Sequence, residues 1–169
     1  MKFDEVKEEK IKFLEQNDRI VLATSLNNRV TARTVSYVSE GLTILFGSWV
    51  QLKKVAQIRE NLKVALCKDV SKEGKNLLQI SIEGKEEIVK SPQDEESKRL
   101  IELYKKKLPG LYDFYFARYP EEKYVFVKVK PTLIASYIWV KKDNKGFIEY
   151  LDLQKRRTYL RTYFEKQEY

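Results

Sequence analysis

The stretch from Val30 to Lys54 reads VTARTVSYVSEGLTILFGSWVQLKK and carries the pattern that decides the fold. Its first part, Val30–Val38, predicts a strand, and a glycine-containing turn separates it from a second strand over Leu42–Phe46. Upstream, Asn27-Asn28 is another turn signal, which joins the first of these strands to an earlier one over Ile20–Leu26. Two consecutive hairpin links indicate an antiparallel meander.

The same stretch brings three cationic side chains close to a predicted helix start. Arg33 lies on a strand, while Lys53 and Lys54 lie in the first turns of the helix. This helix is expected over residues 50–60, with Ser48 as its N-cap. A helix start offers unpaired backbone N–H groups and a partial positive charge, so the set would favour a bound phosphate monoester. On spacing alone, three solvated surface cations are an equally good interpretation.

The remaining pattern predicts a mainly β fold with some helices. An amphipathic helix is expected over residues 3–16, and two further strands over Lys63–Cys67 and Leu77–Val89. The other expected elements are a helix ending near Leu108, strands over Tyr124–Val129 and Leu133–Val140 broken by Pro131, and a basic tail forming a short strand and then a helix. Six or seven short strands with intervening helices indicate an antiparallel β-barrel with peripheral helices.

Composition sets the broad class of the protein. The 169 residues are 43% hydrophobic and 12% aromatic, which suits one globular domain over residues 1–169. No apolar run reaches the roughly 18 residues of a membrane-spanning helix, and the N-terminus is too charged for a signal peptide. We therefore expect a cytoplasmic protein without a membrane partner.

Histidine is absent from the sequence, and this excludes several classes of site. The chain alone cannot supply a Ser-His-Asp triad, a histidine–zinc site or a histidine-ligated haem. No metal site is predicted. Cys67 is the only cysteine, so no intramolecular disulfide can form, and its apolar strand favours an inert core thiol over a nucleophile.

The net charge of +8 raises the alternative of a basic nucleic-acid-binding barrel. The lysines, however, are spread along the chain and interleaved with glutamates, and no RNA-recognition signature or zinc-finger spacing accompanies them. The pattern favours a solvated surface.

The order of these motifs resembles the FMN-binding split barrel of the pyridoxamine 5′-phosphate oxidase-like superfamily. The resemblance covers about residues 18–137 and leaves 141–169 as a C-terminal extension. It rests on an ordered set of motifs: Leu22-Ala23-Thr24, Arg33-Thr34-Val35-Ser36, Ser48, a helix with Lys54, Ile58 and Asn61, and Gln79 five residues before Gly84. Leu62 stands where the family usually has proline.

The resemblance implies a cofactor, a set of ligands and a partner. Arg33, Lys53 and Lys54 would hold the phosphate of FMN, with Gly47 and Ser48 beside it. Backbone groups of Thr34, Val35 and Ser36 would bind the isoalloxazine edge, and the Gln79 amide would face the ring. In the family this site lies between two subunits, so a homodimer is implied.

The implied activity is that of an FMN-dependent oxidoreductase acting on a small molecule. The family's oxidase closes its substrate site with a C-terminal segment containing an arginine and a histidine, which the tail from Asp152 to Arg161 does not match. Pyridoxamine phosphate is therefore not assigned as the substrate, and no catalytic residue is assigned. A non-catalytic flavin-binding or sensing module and a deazaflavin-dependent reductase stay open as alternatives.

Overall fold

A computed structural model describes residues 2–70, 77–89, 94–140 and 145–165 of the chain. The elements, in chain order, are α1 Phe3–Glu15, β1 Arg19–Leu26, β2 Arg29–Glu40, β3 Thr43–Trp49, α2 Lys53–Glu60, β4 Lys63–Asp69, β5 Leu77–Val89, α3 Glu95–Lys107, α4 Pro109–Tyr115, a short 3₁₀ turn Glu121–Lys123, β6 Tyr124–Val140, β7 Lys145–Asp152 and β8 Arg157–Glu165.

Six of the strands form a closed antiparallel barrel. The order is β3-β2-β1-β4-β5-β6, and β3 pairs back with β6 to complete the ring. Strand β6 continues beyond the barrel and pairs with β7, which in turn pairs with β8. The predicted antiparallel split barrel with peripheral helices is confirmed, and two extra strands extend it.

The turn between β1 and β2 is built as its sequence predicts. Asn27 and Asn28 both have positive φ angles, 50° and 61°, which a tight two-residue hairpin turn requires. Asparagine tolerates this left-handed region better than most residues do. Gly41, with φ 58°, serves the same purpose in the turn between β2 and β3.

Two apolar clusters hold the barrel and its helices together. The interior cluster includes Tyr37, Phe46, Leu66 and Ile82, all fully buried. Helix α1 closes one end of the barrel, where the Tyr37 hydroxyl donates a hydrogen bond to the Leu14 carbonyl at 3.1 Å. A second cluster lies outside the barrel and joins α3 and α4 to it through the buried residues Val38, Leu45, Val89, Leu100, Ile101, Tyr104, Phe116 and Phe126.

The start of α2 differs from the sequence-based prediction. The helix begins at Lys53 with Leu52 at the N-cap, and no side chain caps it. Ser48 is not the cap, because β3 continues to Trp49 and buries Ser48, which pairs with Val125 on β6. The long-range pairing of β3 with β6 therefore overrides a local capping signal.

The C-terminal third also differs from expectation. Pro131 does not break β6, because it falls at a register shift in the pairing of β5 with β6, where the ladder is already irregular. The predicted strand of the tail is confirmed by β7, but β8, which pairs with it in a hairpin, stands where a helix was predicted. The aromatic segment before β6 forms α4, which the sequence pattern did not predict.

Within the ranges given above, no helix is long and apolar enough to cross a membrane.

Candidate functional site

Strands β2 and β3 separate along part of their length and leave an opening in the barrel wall. They pair only over Tyr37–Glu40 and Thr43–Phe46, although β2 starts at Arg29 and β3 runs to Trp49. On the β3 side, the first part of β2 therefore has no strand partner among the described residues. Its backbone N–H and C=O groups there can bind a ligand, because unpaired backbone groups need a partner.

A cavity of about 250 Å³ lies at this opening. Six of the nine predicted site residues line it: Thr34, Val35, Ser36, Gly47, Ser48 and Lys54. The other lining residues are Trp49, Leu52, Tyr104, Leu111, Tyr115 and Phe116. A larger cavity of about 500 Å³ on the outer face of β1, β4 and β5 contains none of the nine.

One wall of the cavity depends on the missing side chain at Gly47. A Cβ atom there would meet Cζ of Phe116 at 2.4 Å and Cε2 at 2.7 Å. Phe116 is buried against Tyr124 and Phe126, at ring-centroid distances of 5.1 and 5.6 Å. The glycine thus lets the end of the Phe116 ring approach the β3 backbone closely at the edge of the site.

Arg33 enters the barrel from β2, and a network from three elements fixes its guanidinium. It donates to the Thr24 hydroxyl at 2.6 Å, to the Leu22 carbonyl at 3.5 Å and to the hydroxyl of Thr31. The buried Gln57 side chain on α2 accepts from Thr24 and Thr31 at 2.7 and 2.8 Å, and from Arg33 at 3.4 Å. The network orients Arg33 without neutralising its charge.

Lys54 is a half-buried cation, and the positive charge of Arg33 acts on it. No salt bridge to its ammonium is found in the described part of the chain, and it lines the cavity. Burial, followed by the charge of Arg33, lowers the pKa of Lys54. Burial also lowers the pKa of Arg33. Two cations that repel each other in a partly buried place form a site that attracts an anion.

Glu86, a buried side chain on β5, is an acidic group whose charge acts on Arg33. Burial raises the pKa of its carboxyl to about 8, and the charge of Arg33 only partly offsets that rise. Near pH 7 the carboxyl is therefore mostly neutral, and the two cations keep most of their net charge.

Three of the nine predicted residues, Arg33, Lys53 and Gln79, are not among those that line the cavity. Lys53 is exposed on the first turn of α2 and is not among the lining residues. Gln79 lies on β5 opposite Asp69 and Tyr137. Strand β5 is separated from β2 by β1 and β4, and the Gln79 side chain is not among the residues around the cavity.

Sequence reasoning missed several residues that build the site. Thr24 lies in one of the quoted motifs, but its contact with Arg33 depends on the register of β1 and β2. Gln57 and Glu86 are polar residues at inward-facing positions of otherwise apolar patterns. That contrast is the signal by which they could have been found.

Comparison with known proteins gives one family and several similar folds. The family model described as pyridoxamine 5′-phosphate oxidase matches residues 6–137. No curated protein matches the chain at a significant level.

Solved structures from three bacteria have a similar fold. A FAD-binding protein from Mesorhizobium loti is 18% identical, with a TM-score of 0.62 over 76% of this chain and 91% of that one. A Clostridium acetobutylicum protein related to general stress protein 26 is 14% identical, with a TM-score of 0.63 over 91% and 99% of the two chains. An FMN-binding, pyridoxamine 5′-phosphate oxidase-related protein from Nostoc punctiforme is 11% identical, with a TM-score of 0.58 over 96% and 95%. At these identities the likeness establishes the fold alone.

Proposed function

This chain belongs to the pyridoxamine 5′-phosphate oxidase family, and on that premise we propose that it is an FMN-binding oxidoreductase acting on a small molecule. The observation that carries the proposal is that Lys54, which lines a cavity in the split of the barrel, interacts electrostatically with a second partly buried cation, Arg33. Two partly buried cations with little neutralising charge suit a phosphate monoester, which carries nearly two negative charges at neutral pH.

Each part of the site has a separate task in this proposal. Arg33, whose terminal nitrogens already donate hydrogen bonds within the barrel, attracts the phosphate by its charge, and the Lys54 ammonium binds it as a point charge. The unpaired backbone of Thr34, Val35 and Ser36 binds the polar edge of the ring. A bound flavin would supply the hydride and electron transfer, so the chain needs no histidine for this chemistry.

We also propose that two copies of the chain form the complete pocket. The cavity of about 250 Å³ is smaller than the roughly 300–1,000 Å³ of typical small-molecule pockets, so a second wall is needed. Phe114 and Tyr115 on α4 are 59% and 42% exposed, and Tyr115 lines the cavity. Exposed aromatic rings beside a site are typical of an interface. Gln79, which does not line the cavity in its own chain, would then face a ring held between the subunits.

The first experiment identifies the ligand directly. The purified protein is expected to absorb as a flavoprotein, and mass analysis of the released compound is expected to give FMN. Titration of the ligand-free protein with FMN, FAD, riboflavin and a deazaflavin ranks the candidates, since only the phosphate-bearing compounds can use Arg33 and Lys54. A colourless protein that binds none of the four would contradict the proposal.

A second experiment separates an enzyme from a non-catalytic module. Reduction of the bound flavin by NADH or NADPH, followed by reoxidation with turnover, supports an oxidoreductase. Bound flavin that neither donor reduces supports a sensing or storage module. Light scattering after gel filtration measures the number of subunits. Retention of the protein on DNA at low salt, without flavin binding, would favour the nucleic-acid alternative.

A further inference from the structure

Glu86 is a buried acidic residue whose charge interacts with that of Arg33, one of the two cations proposed to attract the phosphate. Its side chain is 4% exposed, on the inward face of β5 between Gly84 and Ile88. Neither carboxylate oxygen has a hydrogen-bond partner within the described ranges. Buried polar atoms are nearly always paired, so an unpaired carboxyl in a barrel needs an explanation.

The surroundings of Glu86 leave Arg33 as the charge that acts on it. Strand β6 places Val129 opposite it, and on the β4 side the Leu62 carbonyl accepts a hydrogen bond from the Glu86 backbone N–H at 2.8 Å. The charge of Arg33 on β2 acts on the Glu86 carboxyl, and it also acts on Lys54 on α2.

The other charged groups on the neighbouring strands face away from this interior position. Lys63 and Lys85 are exposed, and Glu87 is paired with Lys128 on the opposite face at 3.3 Å.

The carboxyl has two states with different effects on an anion. When it is neutral, it adds no charge, and both cations attract the phosphate. When it is ionised, its charge cancels part of that of Arg33, and it repels a phosphate directly. Because Arg33 is fixed by Thr24, Thr31 and Gln57, it cannot turn away from either group.

We propose that Glu86 is the proton-binding counter-charge of the anion site: its neutral form permits phosphate binding by Arg33 and Lys54, and its ionised form opposes it. This inference rests on the proposed function and makes Glu86 a positioning residue that determines affinity for the phosphorylated form of the flavin. It implies that FMN binding is coupled to the uptake of a proton.

The test is the dissociation constant of FMN at pH 7, 8 and 9 for the wild type and for Glu86→Gln. The phosphate is already doubly ionised over this range, so its own titration contributes little. The wild type is expected to bind about tenfold more weakly at pH 9 than at pH 7, from the linkage of one proton with a native pKa of about 8. Glu86→Gln is expected to lose most of that dependence. Riboflavin, which has no phosphate, serves as the matched ligand and is expected to give flat profiles with both proteins.

A second measurement needs no variant. Calorimetric titration of the wild type with FMN at pH 8, in two buffers of different protonation enthalpy, is expected to give an uptake of about half a proton per site. Equal pH profiles for the wild type and Glu86→Gln would overturn this inference, and if both slope they point to Lys54 as the titrating group. Zero proton uptake would also overturn it. Absence of FMN binding at every pH in both proteins would overturn the proposed function itself, and this inference with it.

Discussion

The guanidinium of Arg33 donates a 2.6 Å hydrogen bond to the hydroxyl of Thr24 on the neighbouring strand. Thr24 in turn donates to Gln57 on α2 at 2.7 Å, so β1, β2 and α2 meet at one polar network. The arginine is therefore oriented before any ligand arrives, and less conformational entropy is lost on binding.

Lys54 and Lys53 provide a matched pair of substitutions. Lys54→Met is expected to weaken FMN binding by about tenfold, equivalent to about 1.4 kcal/mol, because it removes the cation that lines the cavity. Lys53→Met removes the same charge from the adjacent, exposed position and is expected to have a much smaller effect. Fluorescence titration of FMN measures both. Equal losses of affinity would mean that Lys53 also contacts the phosphate. The sequence-based prediction included this contact, but Lys53 is not among the residues that line the cavity.

Gly47→Ala tests the contact between β3 and Phe116. The new methyl group would overlap the Phe116 ring, so the ring must move into the packed aromatic cluster. We expect the free energy of unfolding to fall by about 1–3 kcal/mol in a denaturant titration. Gly110→Ala is the control, because a Cβ there meets no atom within 4 Å. Adding Phe116→Leu to Gly47→Ala is expected to restore part of the loss; no restoration would contradict the assigned overlap.

The buried ion pair between α1 and β7 predicts a large asymmetry between single and double substitution. Lys10 Nζ lies 2.6 Å from Glu149 Oε1, with the two side chains 2% and 3% exposed. Lys10→Met leaves a buried carboxylate without its partner and is expected to cost about 3–5 kcal/mol of unfolding free energy. The double substitution Lys10→Met with Glu149→Met is expected to recover most of the lost unfolding free energy. For comparison, Lys98→Met breaks an exposed pair with Glu95 and should leave the unfolding midpoint nearly unchanged.

The raised pKa of Glu86 predicts how the stability of the ligand-free protein depends on pH. The native pKa is about 8 against an ordinary value of 4.5, so between these values the native state binds more protons than the unfolded state. The contribution of Glu86 to stability therefore falls as pH rises through this window and levels off above about pH 8. The difference in unfolding free energy between Glu86→Gln and the wild type is expected to shift in favour of the variant by on the order of 2–4 kcal/mol between about pH 5 and pH 9. Parallel stability curves for the two proteins would show that Glu86 is ionised throughout.

Local signals in the sequence predicted those features that depend on short-range chemistry. The Asn27-Asn28 turn and the bounds of the strand Leu77–Val89 are confirmed because a two-residue hairpin turn and a long alternating run are defined by adjacent residues. The motifs of β2, β3 and α2 placed six residues around one cavity, since these elements follow each other directly in the chain.

The failures come from contacts that are distant in sequence. Serine is a residue type favoured at helix N-caps, but Ser48 instead pairs with Val125 on β6. The local sequence pattern around Ser48 cannot predict this long-range pairing. Glu86 lies in the charged run Lys85-Glu86-Glu87, which has the pattern of a solvated edge; it turns inward only because β4 and β6 flank β5 on both sides. The sequence-based prediction therefore included Lys54, which lines the cavity, and missed Glu86, which is buried.

Closure of the barrel also limits how fast this chain can fold. The ladder that pairs Ile44 with Val129 joins segments separated by more than half of the polypeptide, so the ring stays incomplete until β6 has been synthesised. Loop-closure entropy must be overcome before these contacts stabilise the product, which places such topologies among the slower folders. During synthesis the first five barrel strands would emerge as an open sheet with two free edges, and this nascent form is where we expect chaperone dependence to be greatest.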